Sequence, residues 1–248
     1  MNLAVIMSVY NAGEYVNDAI QSILNQIYDN YLFYILIDGA TDNSYEVCNE
    51  YRSNEKIKIF TREGNYGLPK SLNFLIRQVL NDNPNIKYIA RQDADDISLP
   101  DRFVRQIDFL EDNDGFGLIG TWYRIINENG KFKMDVKSPT KDIDIRKDFF
   151  NRNKFCHGSI MFRTSLLKEA GMYDEIFERC QDYDLFFRFM TKCKISNIPQ
   201  ILYKWRHSKK YDGLLSKRKY FMMLARYKMY CNYAGIEFNP SNLRKETI

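Results

Sequence analysis

This chain of 248 residues is short of the residues that would announce a disulfide or metal framework. It has five cysteines, two histidines and two tryptophans. The cysteines, at 48, 156, 180, 193 and 231, are odd in number and contain no C-x-x-C pair, which argues against a disulfide scaffold and a structural zinc site. A reducing, cytoplasmic setting is the expectation. No window approaches the ~18 uninterrupted apolar residues of a membrane span, and the first strand begins almost at once without a basic leader, so neither secretion nor integral insertion is expected. Net charge is only +4, too little to call for a nucleic acid partner. No G-x-G-x-x-G follows the first strand and no G-x-x-x-x-G-K-[ST] occurs, so neither a redox dinucleotide fold nor a P-loop is supported. Internal repeats and low-complexity tracts are also missing.

Patterning is what the chain has instead. Leu3 to Val9 reads as a buried strand, followed by helical spacing at Tyr15, Ala19, Ile20, Ile23 and Leu24 with Asn11 as N-cap. Phe33 to Ile37 is a second strand stopped by Asp38-Gly39, Thr41 to Ser44 can cap a second helix, and Ile57 to Phe60 is a third strand. Leu68 to Leu80 is amphipathic, and Lys87 to Ala90 is a strand entering Arg91-Gln92-Asp93-Ala94-Asp95-Asp96. This βαβαβαβ series predicts an α/β fold with a mostly parallel sheet, whose ligands gather beyond the carboxyl ends of the strands. Asp38 and the Asp93 to Asp96 knot both fall at such ends and are expected to share a crevice. Three crowded carboxylates repel unless they share a cation or a hydrogen-bonded partner, and an Asp-x-Asp at a strand end suggests a divalent metal, the plainer reading being a carboxylate-rich loop that caps the helix beginning near Pro100.

Downstream, a helix is expected near Arg102 to Leu110, a strand over Gly117 to Arg124, and a turn at Glu128-Asn129-Gly130. Lys217 to Tyr230 places Tyr220, Met223, Leu224, Tyr227 and Tyr230 on one helical face, fit for packing on the domain or for lying on a membrane. The division expected is a catalytic domain over residues 1–210, with a nucleotide-binding half to about 100 and an acceptor half to 210, then a helical extension over 211–248.

Six segments, in order, resemble the inverting family 2 glycosyltransferases of GT-A fold. They are Ile6 to Asn11, Ile37 to Ser44, Asn65 to Leu68, the acidic knot with Leu99-Pro100-Asp101-Arg102, Cys156 to Arg163, and Gln181 to Arg188. The resemblance implies a nucleotide-sugar donor, with UDP the expected nucleotide. Ser8 and Tyr10 would lie near the nucleoside, Asp38 at the base and Asp93 at the ribose. Asp95 would bind the Mn²⁺ or Mg²⁺ bridging the diphosphate, and Asp182 would be the general base. His207 matches a C-terminal position that supplies a further metal or diphosphate ligand, and Arg206, Lys209 and Lys210 would close over the diphosphate as a lid. A glycan or lipid-linked saccharide is the implied acceptor, in polysaccharide biosynthesis, with peripheral contact at the inner face of a membrane left open.

Each role has a plainer counterpart. Asp182 or Asp184 can cap the helix that follows, Asp38 can merely open a turn, His157 can be a satisfied core histidine or line the acceptor site, and His207 can sit in a solvated basic loop. Trp122, Tyr123 and Trp205 suit sugar stacking or core packing. Two departures from the family pattern, Ile37 before Asp38 and Gln181 before Asp182, motivate the rival reading of a non-catalytic sugar-nucleotide-binding or scaffold protein.

Overall fold

The computed structural model describes residues 1–207 and 215–242. The strands are β1 (Leu3–Val9), β2 (Tyr31–Asp38), β3 (Ile57–Arg62), β4 (Tyr88–Arg91), β5 (Ile97–Ser98), β6 (Phe116–Ile126), β7 (Phe132–Val136), β8 (Met161–Arg163) and β9 (Lys194–Arg206). The helices are α1 (Val16–Leu24), α2 (Ser44–Asn49), α3 (Leu68–Asp82), α4 (Arg102–Asp112), α5 (Asp142–Phe149), α6 (Ser165–Ala170), α7 (Gln181–Met190) and α8 (Leu215–Ala234). One sheet runs β3-β2-β1-β4-β8-β6-β9-β5, with β7 added to β6. It is parallel through β3, β2, β1 and β4, as the alternating pattern predicts. Beyond β4 it turns mixed, because β8 pairs antiparallel with both β4 and β6 while β6 and β9 run parallel.

Both faces of the parallel half are covered, which is why its strands read as near-continuous apolar runs. Side chains alternate along β1. Ala4 and Ile6 join Tyr34, Leu36, Leu72 and Ile76 in one core layer under α3, whereas Leu3, Val5, Met7 and Val9 join Ile35, Ile37 and Ile20 in the other under α1. Ile37 is 2% exposed in that second layer. At this departure from the family pattern the side chain is therefore a packing element.

Two expectations are corrected. Asn11 is not a helix cap: the cap of α1 is Tyr15, while Asn11 adopts a left-handed conformation (φ 49°) that turns its side chain toward the next loop. The buried face of α8 is Phe221, Leu224, Ala225, Met229 and Cys231, with Tyr230 58% exposed, so of the residues expected on one face only Leu224 is fully buried. This helix packs on the domain, where Phe221 meets Phe177 and Lys228 pairs with Asp174.

Candidate active site

The loops after β1 and β2 are laced together by side chains. Asn11 Oδ1 accepts from the Thr41 backbone N–H at 2.8 Å, the Ala12 N–H donates to Ser44 Oγ at 3.0 Å, and the Gly13 N–H donates to Asp42 Oδ2 at 2.9 Å. Burial opposes ionisation of Asp42, but the hydrogen bonds from Ser44 and Gly13 prevail and hold its carboxyl below the usual range. Tyr10 stands 49% exposed at the mouth so formed. Ser8 pairs in register with Leu36, which puts it on the face that Asp38 shares two residues on.

Asp38 is 1% exposed. Its Oδ2 accepts from the N–H groups of Tyr66 and Gly67, both at 3.1 Å, while Oδ1 lies 3.8 Å from Arg62 Nη1 and has no hydrogen-bond partner among the described residues. Asp38 thus anchors a turn through one oxygen and offers the other. The turn requires glycine next: Gly39 has φ 66°, and a Cβ there would stand 2.4 Å from the Gly64 carbonyl carbon. A groove of about 500 Å³ lined by Arg62, Glu63, Tyr66, Lys70, Arg77 and Glu175 opens alongside.

At the end of β4 the acidic knot is only partly neutralised. Arg91, 1% exposed, pairs with Asp93 at 2.5 Å; burial works against its charge, but Asp93 outweighs burial and raises its pKa. Burial, then the Asp93 charge, push Asp95 up to about 6. Asp96 is driven well above its ordinary value by burial and by both neighbouring carboxylates; its Oδ1 accepts the Arg206 N–H at 2.7 Å and its Oδ2 has no hydrogen-bond partner among the described residues.

Arg206 ends β9 against this turn. It is 4% exposed, donates from Nε to the Asp95 carbonyl at 2.8 Å and from Nη1 to the Glu128 carbonyl at 2.7 Å, and stacks over Tyr15. So clamped, Arg206 is a strut between the Asp95 and Glu128 carbonyls; Lys209 and Lys210, expected with it in a lid, lie outside the described residues. His207 follows, its N–H bonded to the Ile126 carbonyl and its ring 5.5 Å from that of Trp205, which meets Tyr123 edge-on. Among the described residues no three His, Cys, Asp or Glu side chains converge as a metal cage. A cation that also binds a diphosphate needs only one or two protein carboxylates, and the crowded Asp95 with the orphaned Asp96 oxygen fits that demand.

The knot is braced by Arg102, a buried arginine with no carboxylate partner among the described residues. Its guanidinium donates to the carbonyls of Arg91 (2.8 Å) and Ile160 (3.0 Å), to Ser98 Oγ (2.8 Å), and through Nε to Gln106 (3.0 Å). Burial lowers its pKa to about 10. The Leu99 to Arg102 motif is thus scaffolding that joins the end of β4 to the segment before β8.

Across the crevice, α7 begins after Cys180, itself left-handed (φ 58°). Asp182 sits in the first turn, and no side chain caps the helix. It receives a hydrogen bond from Asn153 Nδ2 at 2.7 Å. The other capping candidate, Asp184, is 2% exposed and held by Arg188 at 2.7 Å and Lys228 at 2.9 Å. Gln181 is buried beside them.

The turn His157–Ser159 touches both sides, Asp93 through Gly158 and Phe186 of α7 through the His157 ring. A Cβ on Gly158 would meet Tyr203 Oη at 2.0 Å and Asp93 Oδ2 at 2.8 Å, so the backbone there lies directly against the acidic knot. His157 Nε2 is 2.8 Å from Tyr173 Oη, and the buried Tyr173 hydroxyl feels the charges of Arg91, Asp182 and Asp93 together. Tyr173, Asn153 and Tyr203 belong to no motif singled out above, and Arg91 opens the acidic knot without a role of its own there. Asn153 stands in a polar stretch without periodicity, and nothing local marks it.

Comparison with known proteins agrees with this architecture. Residues 4–171 match the family model "Glycosyl transferase family 2". An uncharacterized glycosyltransferase of Methanocaldococcus jannaschii is 34% identical over 222 residues, covering 88% of this chain and 74% of that protein. A UDP-Gal:alpha-D-GlcNAc-diphosphoundecaprenol beta-1,3-galactosyltransferase of Escherichia coli is 29% identical over 210 residues, covering 83% and 74%. Among solved structures, S. aureus TarS in complex with UDP-GlcNAc superposes with a TM-score of 0.75 at 16% identity over 98% of this chain and 69% of that one. The mannosyltransferase PcManGT of Pyrobaculum calidifontis, in complex with GDP-Man and Mn²⁺, does so with a TM-score of 0.69 at 14% identity over 98% and 67%. The fold is that of the GT-A glycosyltransferases, and the chain belongs to glycosyl transferase family 2.

Proposed function

We propose that this glycosyltransferase moves a hexosyl or N-acetylhexosaminyl group from a UDP-sugar to a hydroxyl of a glycan or lipid-linked acceptor, with inversion and with a divalent metal. The observation that carries the reading is that one buried group feels both acidic sites: the Tyr173 hydroxyl, bonded to His157, senses the charges of Asp93 and Asp182, while Gly158 lies against Asp93 and the His157 ring against Phe186 of the helix that carries Asp182. Asp38 Oδ1, buried and without a hydrogen-bond partner, suits an N–H of the nucleotide base, with Ser8 and Tyr10 beside the nucleoside and Asp93 at the ribose. Asp95, with His207 near the same turn, would hold Mn²⁺ or Mg²⁺. When bound, the cation offsets the negative charge that develops on the departing diphosphate. Asp182 would take the proton of the acceptor hydroxyl as it attacks the anomeric carbon opposite the leaving group. The UDP-GlcNAc complex of one structural neighbour and the lipid-linked acceptor named for the E. coli relative support the donor and acceptor classes.

In this reading residues 1–100 bind the nucleotide, 101–210 the acceptor, and 211–248 form an extension whose described helix packs on the domain. No helix among the described residues is long and apolar enough to cross a membrane. We place the enzyme in the cytoplasm, meeting a lipid-linked acceptor at the inner membrane face. The scaffold reading loses one motive, since Ile37 lies in the core layer opposite Asp38. The deciding experiment is Asp182→Asn: transfer should be abolished with nucleotide binding nearly intact. Full turnover in that variant would remove Asp182 as base, and donor binding without product for any acceptor in the wild type would favour the scaffold.

A further inference from the structure

We propose that Tyr173, fastened from behind by Asn73 and bonded through its hydroxyl to His157, is a positioning residue that sets the helix carrying Asp182 against the donor crevice. The inference rests on the reading of Asp182 as the base.

Asn73 lies on α3, in the nucleotide-binding half, and is 4% exposed. Its side chain pairs with the backbone of a residue 100 positions away: Oδ1 accepts the Tyr173 N–H at 3.0 Å, and Nδ2 donates to the Tyr173 carbonyl at 2.8 Å. The same Nδ2 reaches Glu175 Oε1 at 3.0 Å. From the opposite side Arg188, on α7, donates to the carbonyls of Ala170 and Met172. Lys228, on α8, joins Asp174 to Asp184. Residues 170–175 are therefore a strap held by three helices, one of which carries Asp182.

The strap's inward group is the Tyr173 hydroxyl. For packing alone a phenyl ring would do, and burying a hydroxyl is unfavourable unless it finds a partner. That partner is His157 Nε2 at 2.8 Å. The His157 ring also lies edge-on to Phe186, one helical turn beyond Asp182, and the next residue, Gly158, rests on Asp93 and Tyr203. One hydroxyl thus ties the turn touching Asp93 to the strap that holds α7. A shift of this turn would change the distance between donor and base, and misplacement by about 1 Å can cost ~100-fold in rate.

The experiment compares wild type with Tyr173→Phe, which keeps the ring. Transfer should fall about tenfold in kcat with donor KM unchanged, and donor hydrolysis should rise relative to transfer because water replaces a misaligned acceptor. Asn73→Ala should shift the same ratio and also lower Tm. Independently of activity, hydrogen exchange over residues 180–186 should speed up in Tyr173→Phe. A variant with the wild-type hydrolysis-to-transfer ratio and unchanged exchange at 180–186 would overturn the proposal. If instead Asp182→Asn keeps full transfer, the base reading fails, while the exchange measurement still decides whether Tyr173 holds this helix.

Discussion

Asn153 donates a hydrogen bond from Nδ2 to Oδ2 of Asp182 at 2.7 Å, and its own Oδ1 accepts the Phe155 N–H at 2.9 Å. The amide is thereby oriented before it meets the carboxylate. A hydrogen bond to a charged group contributes about 1.5–3 kcal/mol. Asn153→Ala is expected to lower kcat about tenfold or more with nucleotide affinity within twofold, read from steady-state kinetics beside calorimetric titration of UDP. Equal losses in kcat and in nucleotide binding would show a general distortion instead.

Gly158 has no room for a side chain, since a Cβ would fall 2.0 Å from Tyr203 Oη and 2.8 Å from Asp93 Oδ2. Tyr203 is fully buried and cannot retreat freely. Overpacking of this kind costs about 1–3 kcal/mol. We expect Gly158→Ala to lower Tm by several degrees and to weaken UDP binding, because Asp93 must move. Thermal melts with and without UDP test both effects.

Burial, followed by the nearby Arg91 guanidinium, holds the His157 pKa well below its ordinary value. The folded protein therefore keeps this ring neutral where the unfolded chain takes up a proton. Since the unfolded state binds more protons below about pH 6.5, the stability contribution is present above that pH and is lost as pH falls. Asp95 and Asp96 act in the opposite sense, so the measurable quantity is a difference. Between pH 7.5 and 5, the fall in stability should be shallower for His157→Gln than for wild type in urea melts. Identical slopes would contradict the burial argument.

Asp95 is pushed up to about 6 because it is buried beside Asp93. Removing it relieves repulsion in the metal-free protein, so Asp95→Ala should melt at or above the wild-type temperature. The wild type should gain several degrees with UDP or a UDP-sugar plus Mn²⁺, as expected for a ligand that binds only the folded state, and the variant should lose that metal-dependent gain. A panel of nucleoside diphosphates, GDP included, would name the base. A metal-dependent shift that survives in Asp95→Ala would place the cation elsewhere.

What the sequence determined by itself was local and periodic. The apolar runs Leu3 to Val9, Phe33 to Ile37 and Lys87 to Ala90, separated by helical patterns, predict buried parallel strands, and a parallel sheet sends Asp38 and the Asp93 to Asp96 knot to the same edge. The tertiary structure decided what depends on partners far apart in the chain. That Asp184 is locked by Arg188 and Lys228 while Asp182 faces Asn153 could not be read from two aspartates two residues apart. That Arg206 is a buried strut follows from carbonyls at residues 95 and 128, and that Arg102 braces β4 follows from a carbonyl at residue 160. Periodicity reports which face of an element is buried, because burial of apolar surface is roughly additive along the chain. It does not report which polar atoms meet, because a hydrogen bond depends on a few tenths of an ångström between segments that only the folded sheet brings together.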